Sequence, residues 1–227
     1  MGTSITIAVL GSALALVDAV PFAPFALSSA PADVAGVEVV AASEVPVYVR
    51  PYVAALPPQS PRTVPFYSQF DDISSPVWQP RSCGIASAAM LIEHYTRGSV
   101  SVDALLYEGI AIGGYIDNVG WKHNALVQLA VRHGLSGRAY DYAQTSMTVA
   151  LEHIRAALDT GPVIASVHYR FDIHSGIPHL VVITDMEGDT VFYNDPADDV
   201  GGGSISLDSF KRGWKKRYIE IRPGAAT

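Results

Sequence analysis

The chain has 227 residues, a single cysteine and a formal net charge of −7 at pH 7. Apolar residues make up 49% and charged residues 16%, which is enough apolar material for a buried core and argues against global disorder. The negative charge argues against nucleic-acid binding, which normally requires a clustered basic face. One cysteine excludes an intrachain disulfide and a multi-cysteine zinc site.

An apolar leader and a proline-rich linker are expected to precede the folded domain. Within residues 1–35, the apolar run Ile5–Val17 is shorter than the roughly 20 residues of a membrane span and is typical of a signal-peptide core. The run lacks the positively charged N-terminal region usual in signal peptides, because no Lys, Arg or His precedes Arg50. Prolines crowd residues 36–61, which favours an extended linker. The folded domain is therefore expected at residues 62–223.

The leader also decides where the protein is expected to act. A cleaved signal peptide predicts an extracytoplasmic or secreted protein, and a leader that stays attached would hold the domain near a membrane. If the run is only a flexible apolar segment, the expected location is cytoplasmic.

Helical patterns fill the first half of the domain. The first helix has no internal Gly or Pro after its opening glycine, and Ser82 stands where an N-cap is expected. The third and fourth stop at Gly134 and at Gly161, which are typical helix ends. The predicted helices are Gly84–Tyr95, Val102–Ile110, Lys122–His133 and Thr148–Asp159.

Strand patterns fill the second half, in runs rich in Val, Ile, Tyr and Phe. Glu187-Gly188-Asp189 separates two of the runs and is typical of a hairpin turn. The predicted strands are Val163–Tyr169, His179–Met186, Thr190–Asn194 and Arg217–Ile221. Helices followed by hairpin-connected strands predict an α+β fold, with N-terminal helices packed on a C-terminal antiparallel sheet.

Cys83 opens the first predicted helix, directly after a polar loop. A thiol there faces unpaired backbone N–H groups and the positive end of the helix dipole. Both favour the thiolate, which is the reactive form of cysteine. Gly84 is expected to leave room for a substrate backbone. The alternative is a buried cysteine that simply packs beneath the helix.

His179 and Asp195 lie at the outer ends of the predicted hairpin. If the hairpin is regular and centred on residue 187, the two residues face each other, with Cβ atoms about 4.5–5.5 Å apart. A carboxylate at that distance can fix the tautomer of an imidazole. Asn194 would point to the opposite face of the sheet. The alternative is a surface histidine with an unrelated turn aspartate.

Several histidines and aspartates lie close together in the sequence, as they would in a metal site. Their spacing crosses a predicted loop, and no helical His-x-x-x-His pair occurs. We therefore expect neither a metal nor another cofactor. The residues concerned are His168, Asp172, His174, His179 and Asp185.

Five sequence blocks together resemble peptidase family thirty-nine, the papain-like group that includes the double-glycine leader peptidases of bacteriocin export. The blocks are residues 64–69, 83–90, 161–166, 179–183 and 194–197. The resemblance implies a papain-like fold, with the cysteine on a helix and the histidine and aspartate on the sheet. It also implies a glutamine upstream of the cysteine that helps bind the oxyanion. Gln69 is the favoured candidate and Gln79 the second.

The expected activity is that of a cysteine peptidase acting on a peptide or protein substrate through a thioester on Cys83, with His179 as base and Asp195 orienting that base. Acyl transfer to another acceptor on the same triad is one alternative, and a catalytically silent peptide-binding module is the other. Relatives that act in export are usually fused to a transporter. This chain shows no transporter domain, so a double-glycine leader is not the implied substrate.

Overall fold

The computed structural model describes residues 63–224, so the predicted leader and linker lie outside the described residues. The helices are α1 (Cys83–Thr96), α2 (Val102–Ala111), α3 (His123–Arg132), α4 (Met147–Leu158) and α5 (Leu207–Gly213). The strands are β1 (Tyr115–Ile116), β2 (Gly120–Trp121), β3 (Leu135–Asp141), β4 (Val163–His168), β5 (Pro178–Glu187), β6 (Thr190–Asn194), β7 (Gly203–Ser206) and β8 (Trp214–Pro223). Within residues 63–224, no helix has the length and apolar composition that crossing a bilayer requires.

The main sheet has six strands in the order β3-β8-β4-β5-β6-β7, and every neighbouring pair is antiparallel. The short strands β1 and β2 form a separate hairpin. Helices in the first half followed by this sheet confirm the predicted α+β fold. The strands β1, β2, β3 and β7 and the helix α5 were not predicted from the sequence.

Both faces of the sheet are covered, and strand β5 shows how. Leu180 and Val182 pack in the cluster that contains α1, α2 and α3. Val181 and Ile183, which point the other way, pack in a second cluster with α4 and α5. Burial on both faces explains why the centre of β5 reads as a continuous apolar run rather than an alternating one.

Helix α1 lies against the start of β5 and is buried along most of its length. Ser82 occupies the N-cap position, but its hydroxyl donates to the carbonyl of Trp78 (2.8 Å) and does not cap the helix. A Cβ on Gly84 would approach side-chain atoms of Trp121 and Leu180 to 3.0–3.1 Å. The glycine therefore permits close packing of the helix on its neighbours, and the expected opening for a substrate backbone does not lie on that side.

Candidate active site

Cys83 is the first residue of α1 and is partly exposed. The short 3-10 turn Gln79–Arg81 lies just before this position in the chain. The indole N–H of Trp121 donates to the carbonyl of Arg81 (2.8 Å), which ties the β1–β2 hairpin to that turn. The thiol therefore lies at a helix N-terminus, and the turn that precedes it is fixed by the hydrogen bond from Trp121.

His179 is fixed by Asp195 at the beginning of β5. Its Nε2 lies 2.5 Å from Oδ1 of Asp195, and the two side chains are only 3% and 5% exposed. The same Oδ1 accepts the backbone N–H of Ala197 (2.8 Å). The ring of Tyr169 packs edge-on against the imidazole, with centroids 5.2 Å apart. Since Nε2 is occupied by the carboxylate, Nδ1 is the ring nitrogen left for Cys83.

The predicted hairpin register was wrong, although the predicted pair, His179 and Asp195, is in contact. Glu187 pairs with Thr190, and Val182 pairs with Asn194, with an irregularity between Ile183 and Asp185. Extending the Val182–Asn194 register by one residue sets Asp195 opposite residue 181, diagonal to His179 rather than facing it. Diagonal neighbours on a sheet remain within reach of long side chains, and an imidazole is long enough to close the gap.

Asn194 belongs to a different network, as the alternation of side chains along a strand predicts. Its side-chain amide donates to the carbonyl of Val64 (3.3 Å), and its Oδ1 accepts the N–H of Gly202 (2.8 Å). The residue is buried. It therefore holds the chain around β6 in place and does not contact the His179 ring.

The electrostatics of His179 favour the imidazolium. Burial alone lowers its pKa, but the hydrogen bonds with Asp195 and with Cys83 act in the opposite direction and raise the pKa to about 10. A proton held on the ring next to Cys83 stabilises a thiolate by direct charge pairing. The geometry can therefore present a nucleophilic sulfur beside a proton donor.

The two glutamine candidates have different surroundings. Gln69 is buried; its backbone N–H donates to Pro196, next to Asp195, and its Nε2 donates to the carbonyl of Gln79 (2.8 and 2.9 Å). Its Oε1 has no hydrogen-bond partner within residues 63–224. The Nε2 of Gln79 instead donates to two carbonyls of the preceding loop, at Phe70 and Ile73. Gln79 therefore uses both N–H groups of its amide within the loop, whereas Gln69 uses one of its two, so Gln69 is the better candidate for an oxyanion donor.

Comparison with family models relates the chain to a known family. The model described as the Peptidase_C39 like family matches residues 61–226. The chain belongs to the Peptidase_C39 like family. A comparison with curated proteins gives no match.

Solved structures similar to this C39-like chain show the same papain-like fold. A double-glycine motif protease from an AMS/PCAT transporter, solved in complex with the leader peptide, is 20% identical, with a TM-score of 0.50, over 72% of this chain and 94% of that one. A protein from Bacillus anthracis assigned as a C39-like peptidase is 18% identical, with a TM-score of 0.53, over 73% of this chain and 97% of that one. At these identities the likeness concerns the fold alone.

The C39-like site opens into a cleft of about 240 Å³ beside Cys83 and His179. Sequence reasoning missed most of the residues that line it, because they come from elements far apart in the chain and form no motif. They include Trp121, His123, Ser166, Lys215 and Arg217. Ser166 Oγ lies 2.9 Å from His123 Nε2, which places a polar pair inside the cleft.

The histidines considered for a metal site serve other roles in this C39-like domain. Nδ1 of His168 lies 3.0 Å from the carbonyl of Ser175 and so holds the loop before β5. The carboxylate of Asp172 accepts the backbone N–H of His174 (2.9 Å) in the same loop. Across residues 63–224, no three His, Cys, Asp or Glu side chains are grouped in a way that could hold a metal ion.

Proposed function

We propose that the chain is a cysteine peptidase that hydrolyses a peptide bond through a thioester on Cys83. The observation that supports this most directly is the buried His179, which hydrogen bonds with Asp195 on one side and with Cys83 on the other. A histidine in this position is oriented by the carboxylate and can exchange a proton with the sulfur. Membership of a peptidase family agrees with this chemistry.

In the proposed first half-reaction, the Cys83 thiolate attacks the carbonyl carbon of the scissile bond and the carbonyl oxygen becomes an oxyanion. The backbone N–H of Cys83 and the Nε2 of Gln69 are the proposed donors to that oxyanion. The His179 imidazolium then gives its proton to the leaving amine. The C–N bond breaks, and the acyl group remains on sulfur as a thioester.

In the second half-reaction, neutral His179 takes a proton from water, and the resulting hydroxide attacks the thioester. The C–S bond breaks, the carboxylic acid product leaves, and the thiolate and imidazolium are restored. Asp195 keeps the ring oriented throughout and stabilises its positive charge. The sequence of steps consumes one water and requires no cofactor.

The experiment that tests this function is cleavage profiling of the full chain against a diverse peptide library, with Cys83→Ala as the control. We expect cleaved products by mass spectrometry with the unaltered chain and none with Cys83→Ala. Products carrying an added amine in place of water would instead identify an acyltransferase on the same triad. Failure to cleave any peptide, together with alkylation of Cys83 no faster than that of a free thiol, would identify a silent binding module.

A further inference from the structure

The cleft beside Cys83 extends in one direction only along the sheet. His179 lies on β5, and Asp195 follows β6 on one side of it. The cleft residues Ser166 and Lys215 belong to β4 and β8, on the other side. The cleft is therefore separate from the groups that orient the imidazole, and a substrate side chain can occupy it while the backbone lies over Cys83.

Two cationic side chains line this cleft, and no Asp or Glu side chain does. Arg217 donates from its Nε to Asp141 (2.8 Å), so its charge is partly balanced. Lys215 is half-buried and has no carboxylate partner within residues 63–224. Burial and the nearby Arg217 lower the pKa of Lys215. The cleft therefore carries an excess positive charge that an incoming anion would offset.

Strand alternation places Lys215 and Arg217 on the same face of β8, and the strand is irregular at this point. Val167 pairs with Trp214 and Ala165 pairs with Tyr218, so residues 215–217 stand opposite the single residue Ser166. Lys216, at the centre of this bulge, has a φ of 55° and donates from its Nζ to the carbonyl of Thr145 (2.6 Å). Bulges are common beside active sites, where they redirect side chains. This one separates Lys216 from the cleft and leaves Lys215 and Arg217 lining it.

We propose that this cleft is a subsite for a carboxylate of the substrate peptide, held by Lys215 and Arg217 next to the polar pair of Ser166 and His123. The proposal rests on the peptidase function proposed above and adds a substrate class to it: peptides with Asp or Glu near the scissile bond. A free C-terminal carboxylate has the same chemistry, and the test separates the two sources.

The first test uses matched fluorogenic peptides that carry Asp or Glu, or the neutral Asn or Gln, at each of the positions flanking the cleaved bond, with free and amidated C-termini. We expect kcat/KM to be about tenfold higher with the acidic side chain at one position, as a single charge pair near a protein surface allows. Lys215→Gln should lose this preference and Lys215→Glu should reverse it. Lys211→Gln, which removes the same charge from the surface of α5, should leave it unchanged.

The second test does not require peptide cleavage. Iodoacetate and iodoacetamide both alkylate Cys83, but only iodoacetate carries a carboxylate. The ratio of the iodoacetate rate to the iodoacetamide rate therefore measures how strongly the cleft attracts an anion. We expect this ratio to fall several-fold in Lys215→Gln and to stay unchanged in Lys211→Gln, at low ionic strength, where charge pairs are little screened by salt. Thermal midpoints of the variants establish that each is folded.

The outcomes separate the two proposals. A preference for a free over an amidated C-terminus, with no effect of acidic side chains, would assign the subsite to a terminal carboxylate. Cleavage with no carboxylate preference, or an alkylation ratio that Lys215→Gln leaves unchanged, would overturn the subsite while leaving the peptidase intact. If no peptide is cleaved, the peptidase function fails, and the alkylation ratio alone decides whether the cleft attracts carboxylates.

Discussion

Trp121 donates its indole N–H to the carbonyl of Arg81, two residues before the candidate nucleophile. The same ring fills the space next to Gly84 and lines the cleft. One side chain therefore positions the start of α1 and forms a wall of the site. Such a contact is expected to affect the reaction as well as the stability of the domain.

Replacing Trp121 by Phe tests this coupling. The phenyl ring keeps much of the packing but leaves the Arg81 carbonyl without its donor, which costs about 1–3 kcal/mol for a buried group. We expect a lower thermal midpoint and slower alkylation of Cys83 by iodoacetamide. Tyr115→Phe is a control, since it changes an aromatic neighbour of Trp121 without touching that hydrogen bond. Unchanged alkylation in a destabilised Trp121→Phe would limit the tryptophan to a packing role.

The diagonal contact of His179 with Asp195 predicts a graded series of variants. His179→Ala should abolish turnover, because His179 is the residue that exchanges a proton with Cys83 in the proposed mechanism. Asp195→Asn should keep measurable activity, since an amide oxygen can still accept the Nε2–H, whereas Asp195→Ala should lose more. Turnover on the best library peptide measures each step of the series.

Asn194→Ala is the matched control for the Asp195 variants. It removes the buried hydrogen bonds to Val64 and Gly202 and leaves the imidazole untouched. We expect a loss of about 1–3 kcal/mol in the free energy of unfolding. At temperatures below its thermal midpoint, the variant should turn over substrate at a rate close to that of the unaltered chain. If Asn194→Ala abolished turnover in a folded protein while Asp195→Ala retained it, the assigned orienting residue would be wrong.

The glutamine contacts predict opposite effects for the two candidates. Gln69→Ala should lower turnover by about 10²–10³, the usual effect of removing one oxyanion donor. Gln79→Ala removes the two hydrogen bonds to Phe70 and Ile73, so it should lower the thermal midpoint and change turnover much less. Turnover and midpoint measured together separate the roles, and the reverse pattern would assign the oxyanion donor to Gln79.

The raised pKa of His179 predicts a pH-dependent stability. The ring ionises at about 10 in the folded chain and near 6.5 when unfolded, so the folded state binds more protons between these values. Its contribution to stability is complete below pH 6.5 and is lost as the pH rises toward 10. The thermal midpoint should therefore fall over this interval more steeply in the unaltered chain than in His179→Ala. Equal slopes would contradict the assigned protonation state.

The sequence predicts most of the fold because its apolar runs are long. The buried core of α1 and the doubly buried β5 carry patterns that tertiary contacts reinforce, and their observed limits lie close to the predicted ones. Strand β3 was missed because its sequence, Leu135–Asp141, contains Ser, Gly and Arg and is only partly buried. Its position is fixed by seven paired residues of β8, which no local pattern reveals.

The residues of the candidate site were likewise only partly predictable from the sequence. Cys83, His179 and Asp195 could be proposed as a group because a helix start and two strand ends are visible in the sequence. The hairpin register was wrong by a small shift, because the turn consists of Gly188 and Asp189, between the paired residues Glu187 and Thr190, and is not centred on residue 187. Lys215 and Arg217 could not be placed in the cleft at all, because a bulge centred on Lys216 has no signature in those residues.

The separation of Cys83 from His179 along the chain has a consequence for biosynthesis. During synthesis, α1 emerges from the ribosome long before the β5–β6 hairpin that carries the imidazole and its carboxylate. Until that hairpin docks between β4 and β7, the cysteine has no proton acceptor beside it and remains an ordinary thiol. The proposed nucleophile therefore depends on a contact between segments far apart in the chain, so an unfinished chain that lacks β5 would carry Cys83 as an unactivated thiol.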